Sequence, residues 1–445
     1  MSNLRLRSTP IPGTRDGYTG VDFNLGFHVA RYRLDLRYKV APNRLEGVAK
    51  LECSAWRDLP HMTLDLEPNM VARRVTASGR GDITVKRFKQ SGGKLRITFS
   101  EPVLVDEEFE LTIVYAGNPR PRRTRWGTIG WEELTNGSLV ASQPNGAPTW
   151  FPCDDTPDEK ARYEITIETD QPYTVIANGA LTEHVGNRWT FTAGPMATYL
   201  ATVQIGEYTR RELGRNTSVW LPAGVEVGDF VLQQEMLDFF EETFGPYPFP
   251  DYQAVVTEDP LEIPLEAQGL SIFGRNHVRR NERLIAHELA HQWFGNSLGV
   301  AQWDDIWLNE GFACYSEWLW AAHRNATTGA GVPIEESIRL HYNALALKPQ
   351  DIIVGNPGPR LMFDDRVYKR GALTLHALRT LIGDEAFFTA VRDYVTRGAH
   401  SVVEPIDLRN ALKSFAPDRA ADIDATLEAW LHRPELPPLH PVRGR

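Results

Sequence analysis

The stretch ERLIAHELAHQWFG, residues 282–295, carries Leu284, Ile285, Leu289 and Trp293 at helical spacing, so it predicts a helix with one face to bury, ending near Gly295. On such a helix His287 and His291 stand one turn apart on one face and can direct imidazole nitrogens at a single ion. Glu288 is offset around the helix beside that ion, where a carboxylate can take a proton from an attacking water. Three polar side chains on a buried helix are costly without a partner or an ion, which favours a metal site over two ordinary helical histidines.

A hydrolytic metal needs a third protein ligand and one open position. DDIWLNEGFACYSEW, residues 304–318, offers Glu310, separated from His291 by residues 292–309, enough to end one helix, cross a loop and begin another. Trp303, Trp307, Leu308 and Phe312 around it predict that its carboxylate is buried rather than spread on a surface. Two histidines and one glutamate form the open, catalytic pattern, and the ligand types favour one zinc per chain, although cobalt or manganese would also bind such a set.

Outward from this segment the chain divides. From about residue 28 to 203 the period is two: in HVARYRLDLRYKV, Tyr32, Leu34, Leu36, Tyr38 and Val40 alternate with Arg33, Asp35, Arg37 and Lys39. FELTIVY at 109–115 and YEITIET at 163–169 repeat it, so residues 1–205 read as an antiparallel β domain. Residues 206–445 read as a mostly helical domain with one short strand region at 253–258, then helices over ERLIAHELAHQWFG, around Glu310, RVYKRGALTLHALRTLI and DEAFFTAVRDYVTRG. The Pro-rich HRPELPPLHPVRGR reads as a surface terminus.

Composition narrows the setting. The net charge of −10 and the lack of a long basic run disfavour nucleic acid and anionic membranes as partners. No segment has the length and apolarity of a membrane span, and the first 20 residues lack the apolar core of a secretory signal. Only Cys53, Cys153 and Cys314 are present, too few and too odd for a disulfide framework, so the expected location is the cytoplasm. Oligomeric state is not legible.

HELAHQWFGN followed by WLNEGFA resembles the gluzincins of the aminopeptidase N family, to which leukotriene hydrolase also belongs. FPCDDTPDEKARYEI at 151–165, FGPYPFPDY and VYKRGALTLHALR extend the resemblance to about residues 22–432. It implies an α+β multidomain protein, with an all-β saddle-like domain followed by a thermolysin-like, mostly α-helical catalytic domain, in a short form of the family. It also implies that Tyr368 donates to the oxyanion of the tetrahedral intermediate and that Glu317 orients a zinc ligand, a plain helical salt bridge being the other reading of Glu317.

Carboxylates that hold a free α-amine come with the same resemblance. In IPLEAQGLSIF, residues 263–273, Glu266, Gly269 and Leu270 match the family's GxMEN segment, while Ile263, Pro264, Leu265 and Ala267 depart from it. Gln143, in SQPNGAPTWFP, matches the second amine anchor, a neutral dipole where other members carry a charge, or is a loop glutamine with no role. The expectation is a zinc aminopeptidase acting on peptides with a free N-terminus. The alternatives are an endopeptidase or epoxide hydrolase on the same zinc, or a non-catalytic peptide-binding scaffold.

Overall fold

The computed structural model describes residues 15–23 and 25–439. The leader reading of the first residues and the end of the Pro-rich tail fall largely outside these. The chain forms two compact units. The first runs through Arg211 and takes in Trp220–Val225 and Gln253–Arg275; the second holds Glu212–Val219, Glu226–Tyr252 and the chain from Asn276 on.

The first unit is built on a seven-stranded sheet ordered Ala180–Val185, Arg188–Ala197, Lys160–Glu168, Phe27–Lys39, Arg44–Ala55, Glu108–Gly117, Met70–Gly79. In Phe27–Lys39 the apolar Tyr32, Leu34, Leu36 and Tyr38 are buried while Asp35, Arg37 and Lys39 are exposed, as the alternation requires. The sheet is not wholly antiparallel: Phe27–Lys39 pairs in parallel with Lys160–Glu168. That register sets Tyr32 beside Tyr163, Leu34 beside Ile165 and Leu36 beside Ile167, so both inward faces meet, and the two tyrosine rings stack at 5.2 Å. Alternation alone carries no strand direction, which is why the antiparallel expectation failed there.

Smaller sheets complete this unit. Leu59–Asp65, Lys94–Val103 and Val85–Ser91 form one, and Thr174–Ala177, Val203–Gly206, Gly137–Ala141, Gly127–Leu134 and Arg122–Thr124 another. The FPCDD stretch ties two of its parts: Asp65 and Cys153 exchange backbone hydrogen bonds at 2.7 and 3.1 Å, and Thr198 donates to Asp155 at 2.6 Å.

The part of the chain after residue 206 holds more strand than expected. Tyr208–Glu212, Thr217–Pro222, Tyr252–Thr257 and Leu270–Gly274 form a four-stranded sheet, and Leu298–Val300 pairs with Ser401–Val403. Leu270–Gly274 is buried at every position, so it shows no alternation to read.

The second unit is mainly helical: α1 (Gln233–Phe244), α2 (Glu282–Ala290), α3 (Trp307–Thr328), α4 (Ile334–Ala346), α5 (Asp365–Ile382), α6 (Asp384–Gly398), α7 (Pro405–Phe415) and α8 (Ala420–Leu431). Its core is aromatic: Phe294 and Phe312 stack at 4.0 Å, and Trp293 packs edge-on against Phe240 and Phe244 of α1. Two glycines bring α3 and α5 together. A Cβ on Gly311 would stand 3.0 Å from the Gly371 backbone, and one on Gly371 would stand 3.0 Å from Gly311 Cα. Among the described residues no helix is long and apolar enough to cross a membrane.

Candidate metal centre

Helix α2 carries His287 and Glu288, and His291 follows its last residue with helical backbone angles, keeping the one-turn spacing. Helix α3 carries Glu310 in its first turn and Glu317 seven residues on, two turns along the same face. The ligand atoms of His287, His291 and Glu310 all lie within 4.8 Å of one another. Oε2 of Glu310 is 3.5 Å from Nε2 of His287 and 3.4 Å from Nε2 of His291. Tetrahedral bonds of about 2.0–2.1 Å to zinc would set such donors about 3.3 Å apart, so the donor set fits the ion in spacing as well as in type.

Both imidazoles are fixed from behind. Nδ1 of His287 donates to Oε1 of Glu317 at 2.6 Å, and Nδ1 of His291 donates to the carbonyl of Phe294 at 3.0 Å. Each bond holds the ring with its other nitrogen toward Glu310 and selects the tautomer whose Nε2 can ligate. The Glu317 side chain is 1 % exposed, and its other oxygen accepts from Arg283 at 2.9 Å and lies 3.9 Å from Lys369. Glu317 is thus buried between His287 and Arg283 and pairs with both.

The electrostatics follow from burial against this partner set. Desolvation alone would push the His287 imidazolium down, but hydrogen bonds to Glu310 and Glu317 and the nearby Glu288 overcome it and raise its pKa to about 10 in the metal-free protein. Burial opposes ionisation of Glu310 and Glu317, yet the histidines hold Glu310, and Lys369, His287 and Arg283 hold Glu317, below the usual carboxylate range. The site therefore keeps its carboxylates charged around neutral pH, and an entering metal ion displaces a proton.

Tyr368 lies in the first turns of α5, half-buried, its ring stacked over His287 at 6.2 Å and 16°. The Gly311–Gly371 crossing sets this turn against the turn of α3 that bears Glu310. Neither glycine was singled out in the sequence, although each follows a site segment directly, in WLNEG and VYKRG. Arg283 was missed too; its signal was a third position four residues before His287.

In the first unit, Glu266 is 4 % exposed and accepts a 2.5 Å hydrogen bond from Nε2 of Gln143. Gly269, at φ 69°, turns the chain so that Leu265 exchanges backbone hydrogen bonds with Ile272 at 2.9 and 2.8 Å, which fixes Glu266 beside the end of Leu270–Gly274. The two residues matched separately by sequence are thus direct neighbours.

A buried two-histidine, one-glutamate centre on a helix pair, with a glutamate and a tyrosine beside it, defines a zinc metallohydrolase. The model of the peptidase M1 N-terminal domain matches residues 28–200, and that of the peptidase family M1 domain matches residues 229–430. The chain belongs to peptidase family M1, whose zinc is the cofactor this centre fits. It is 27 % identical over 416 residues to endoplasmic reticulum aminopeptidase 1 of Homo sapiens, covering 83 % of this chain and 44 % of that protein. It is 29 % identical over 443 residues to leucine aminopeptidase 2-1 of Meyerozyma guilliermondii, covering 93 % of this chain and 70 % of that one. The chain thus spans less than half the length of the human relative. An M1 zinc metallopeptidase from Deinococcus radiodurans has the same fold, with a TM-score of 0.85, 28 % identity, and 97 % of this chain and 99 % of that chain covered.

Proposed function

We propose that this protein is a zinc-dependent aminopeptidase that removes the N-terminal residue from peptides. The observation that carries the reading is the donor set of His287, His291 and Glu310, spaced for tetrahedral zinc in a chain of family M1. Zinc bound there supplies a Lewis acid for the scissile carbonyl and lowers the pKa of a bound water toward about 7.

The chain's own residues divide the remaining work. Glu288 takes the proton of the attacking water and passes it to the leaving amine. Tyr368 donates its hydroxyl to the oxyanion of the tetrahedral intermediate, and its stacking over His287 supports that placement. Glu317 holds the His287 ring and tautomer. Glu266 accepts from the substrate's α-ammonium, and Gln143 adds a neutral dipole; their mutual hydrogen bond supports a joint anchor. The three cysteines, all unpaired and buried, support a reducing compartment, which we take to be the cytoplasm.

The test is fluorophore release from free-amine aminoacyl substrates and from their N-acetylated copies, with and without chelator. Activity on free amines alone, abolished by chelator and restored by zinc, is the expected result. Ile263, Pro264, Leu265 and Ala267, where the amine-binding segment departs from the family pattern, keep one rival in view: an endopeptidase, which would cleave the blocked copies as well.

A further inference from the structure

Charged groups of α2 and α3 interleave through the second unit. Arg283, His287 and His291 recur every four residues along one face of α2 and its continuation, and Glu310 and Glu317 stand two turns apart on α3. The carboxylates fall between the basic groups. Arg283 Nη1 is 2.9 Å from Glu317 Oε2, Glu317 Oε1 is 2.6 Å from His287 Nδ1, and Glu310 Oε2 lies 3.5 and 3.4 Å from the two Nε2 atoms. Proposed roles cover every rung of this ladder except the first.

We propose that Arg283 is a positioning residue for the metal ligand His287, acting through Glu317; this rests on the reading of His287, His291 and Glu310 as the zinc site. A carboxylate 1 % exposed must be compensated on both oxygens. His287 engages one, and Arg283 makes the short contact to the other, which stops the group rotating away from the imidazole. Lys369 is the only other cation paired with that oxygen among the described residues, at 3.9 Å, and its ammonium is also 3.3 Å from the Cys314 sulfur. It therefore retains part of the effect when Arg283 is lost.

Arg283 is also a clean place to cut. Its side chain is 58 % exposed while its partner is buried, so shortening it opens no cavity in the core. With Glu317 buried this is not an ordinary surface ion pair: the arginine compensates and orients a buried carboxylate that in turn orients a ligand.

The experiment measures zinc dissociation constants by competition with a fluorescent chelator for the wild-type chain, Arg283→Met, Arg283→Lys and His287→Ala. Melting of the metal-free proteins serves as a fold control, and visible absorption of the cobalt-loaded proteins reports ligand geometry. Arg283→Met is expected to weaken zinc binding about tenfold, the low end of what loss of an outer-layer partner costs. It should shift the cobalt spectrum and lower the metal-free melting temperature by only a few degrees, because Lys369 still faces the buried Glu317 oxygen, and Arg283→Lys should recover most of the affinity. Zinc held by Arg283→Met as tightly as by wild type, or no recovery with lysine, overturns the proposal while leaving the zinc site intact. Unchanged zinc binding by His287→Ala instead overturns the metal-site reading, and the role of Arg283 with it.

Discussion

Replacing Gly371 by alanine tests whether the approach of α3 to α5 sets the geometry of the site. The added Cβ would meet Gly311 Cα at 3.0 Å, against about 3.5–4.0 Å for relaxed carbon contacts, so the helices must separate by about 0.5–1 Å. Overpacking of this kind costs about 1–3 kcal/mol. Exchanging glycine for alanine inside a helix returns about 0.8–1 kcal/mol. The net destabilisation is therefore small, about 0–2 kcal/mol, and the melting temperature should fall by only a few degrees. Activity should respond far more, because the displaced turn carries Tyr368 and faces the turn of Glu310; a shift near 1 Å costs about 100-fold in favourable cases, so kcat/KM should fall about 10- to 100-fold. The assay is turnover of a free-amine substrate at saturating zinc, alongside a thermal melt. A variant that melts higher than wild type with unchanged kcat/KM would show that the glycines do not hold the helices at this separation.

Three further outcomes follow from the same geometry. Tyr368→Phe should lower kcat about 100- to 1000-fold with KM little changed, because its hydroxyl acts on charge that develops in the transition state; a pure KM effect would assign it to substrate binding. Glu266→Gln should raise KM for free-amine substrates about 10- to 100-fold, the worth of one charge-assisted hydrogen bond, and an unchanged KM would remove Glu266 from amine recognition. Zinc uptake must displace the proton that Glu310, Glu317 and Glu288 hold on His287 against the opposing effect of burial, so apparent zinc affinity should rise about tenfold per pH unit above neutrality and level off near the raised pKa of about 10. The same proton stabilises the metal-free fold fully below the ordinary histidine value of 6.5, and that contribution is lost as the pH climbs through about 10. A flat zinc affinity between pH 7 and 9 would contradict this protonation.

Much of the site was legible because chemistry and helical spacing act over short sequence distances. His287, Glu288 and His291 declare themselves within five residues, and the aromatic neighbours of Glu310 predicted its burial, which the structure gives as 2 % exposed. What stayed hidden depends on partners far away in the chain. Strand direction between Phe27–Lys39 and Lys160–Glu168 is set by which inward faces match, and no period encodes it. Leu270–Gly274 is buried on both faces, so its strand signal is a bare apolar run. The Gly311–Gly371 crossing and the Arg283–Glu317 pair each join two helices, and either residue alone reads as an unremarkable glycine or a solvated arginine. The hydrogen bond between Gln143 and Glu266 spans 123 positions.

The central claim is that Glu288 moves the proton of the attacking water beside zinc held by His287, His291 and Glu310. Its most direct test is Glu288→Gln, measured for bound zinc and for turnover of a free-amine substrate on the same sample. One zinc per chain with turnover lower by about 10²- to 10⁴-fold is the predicted result, the usual worth of a positioned general base. One zinc per chain with full turnover would contradict it.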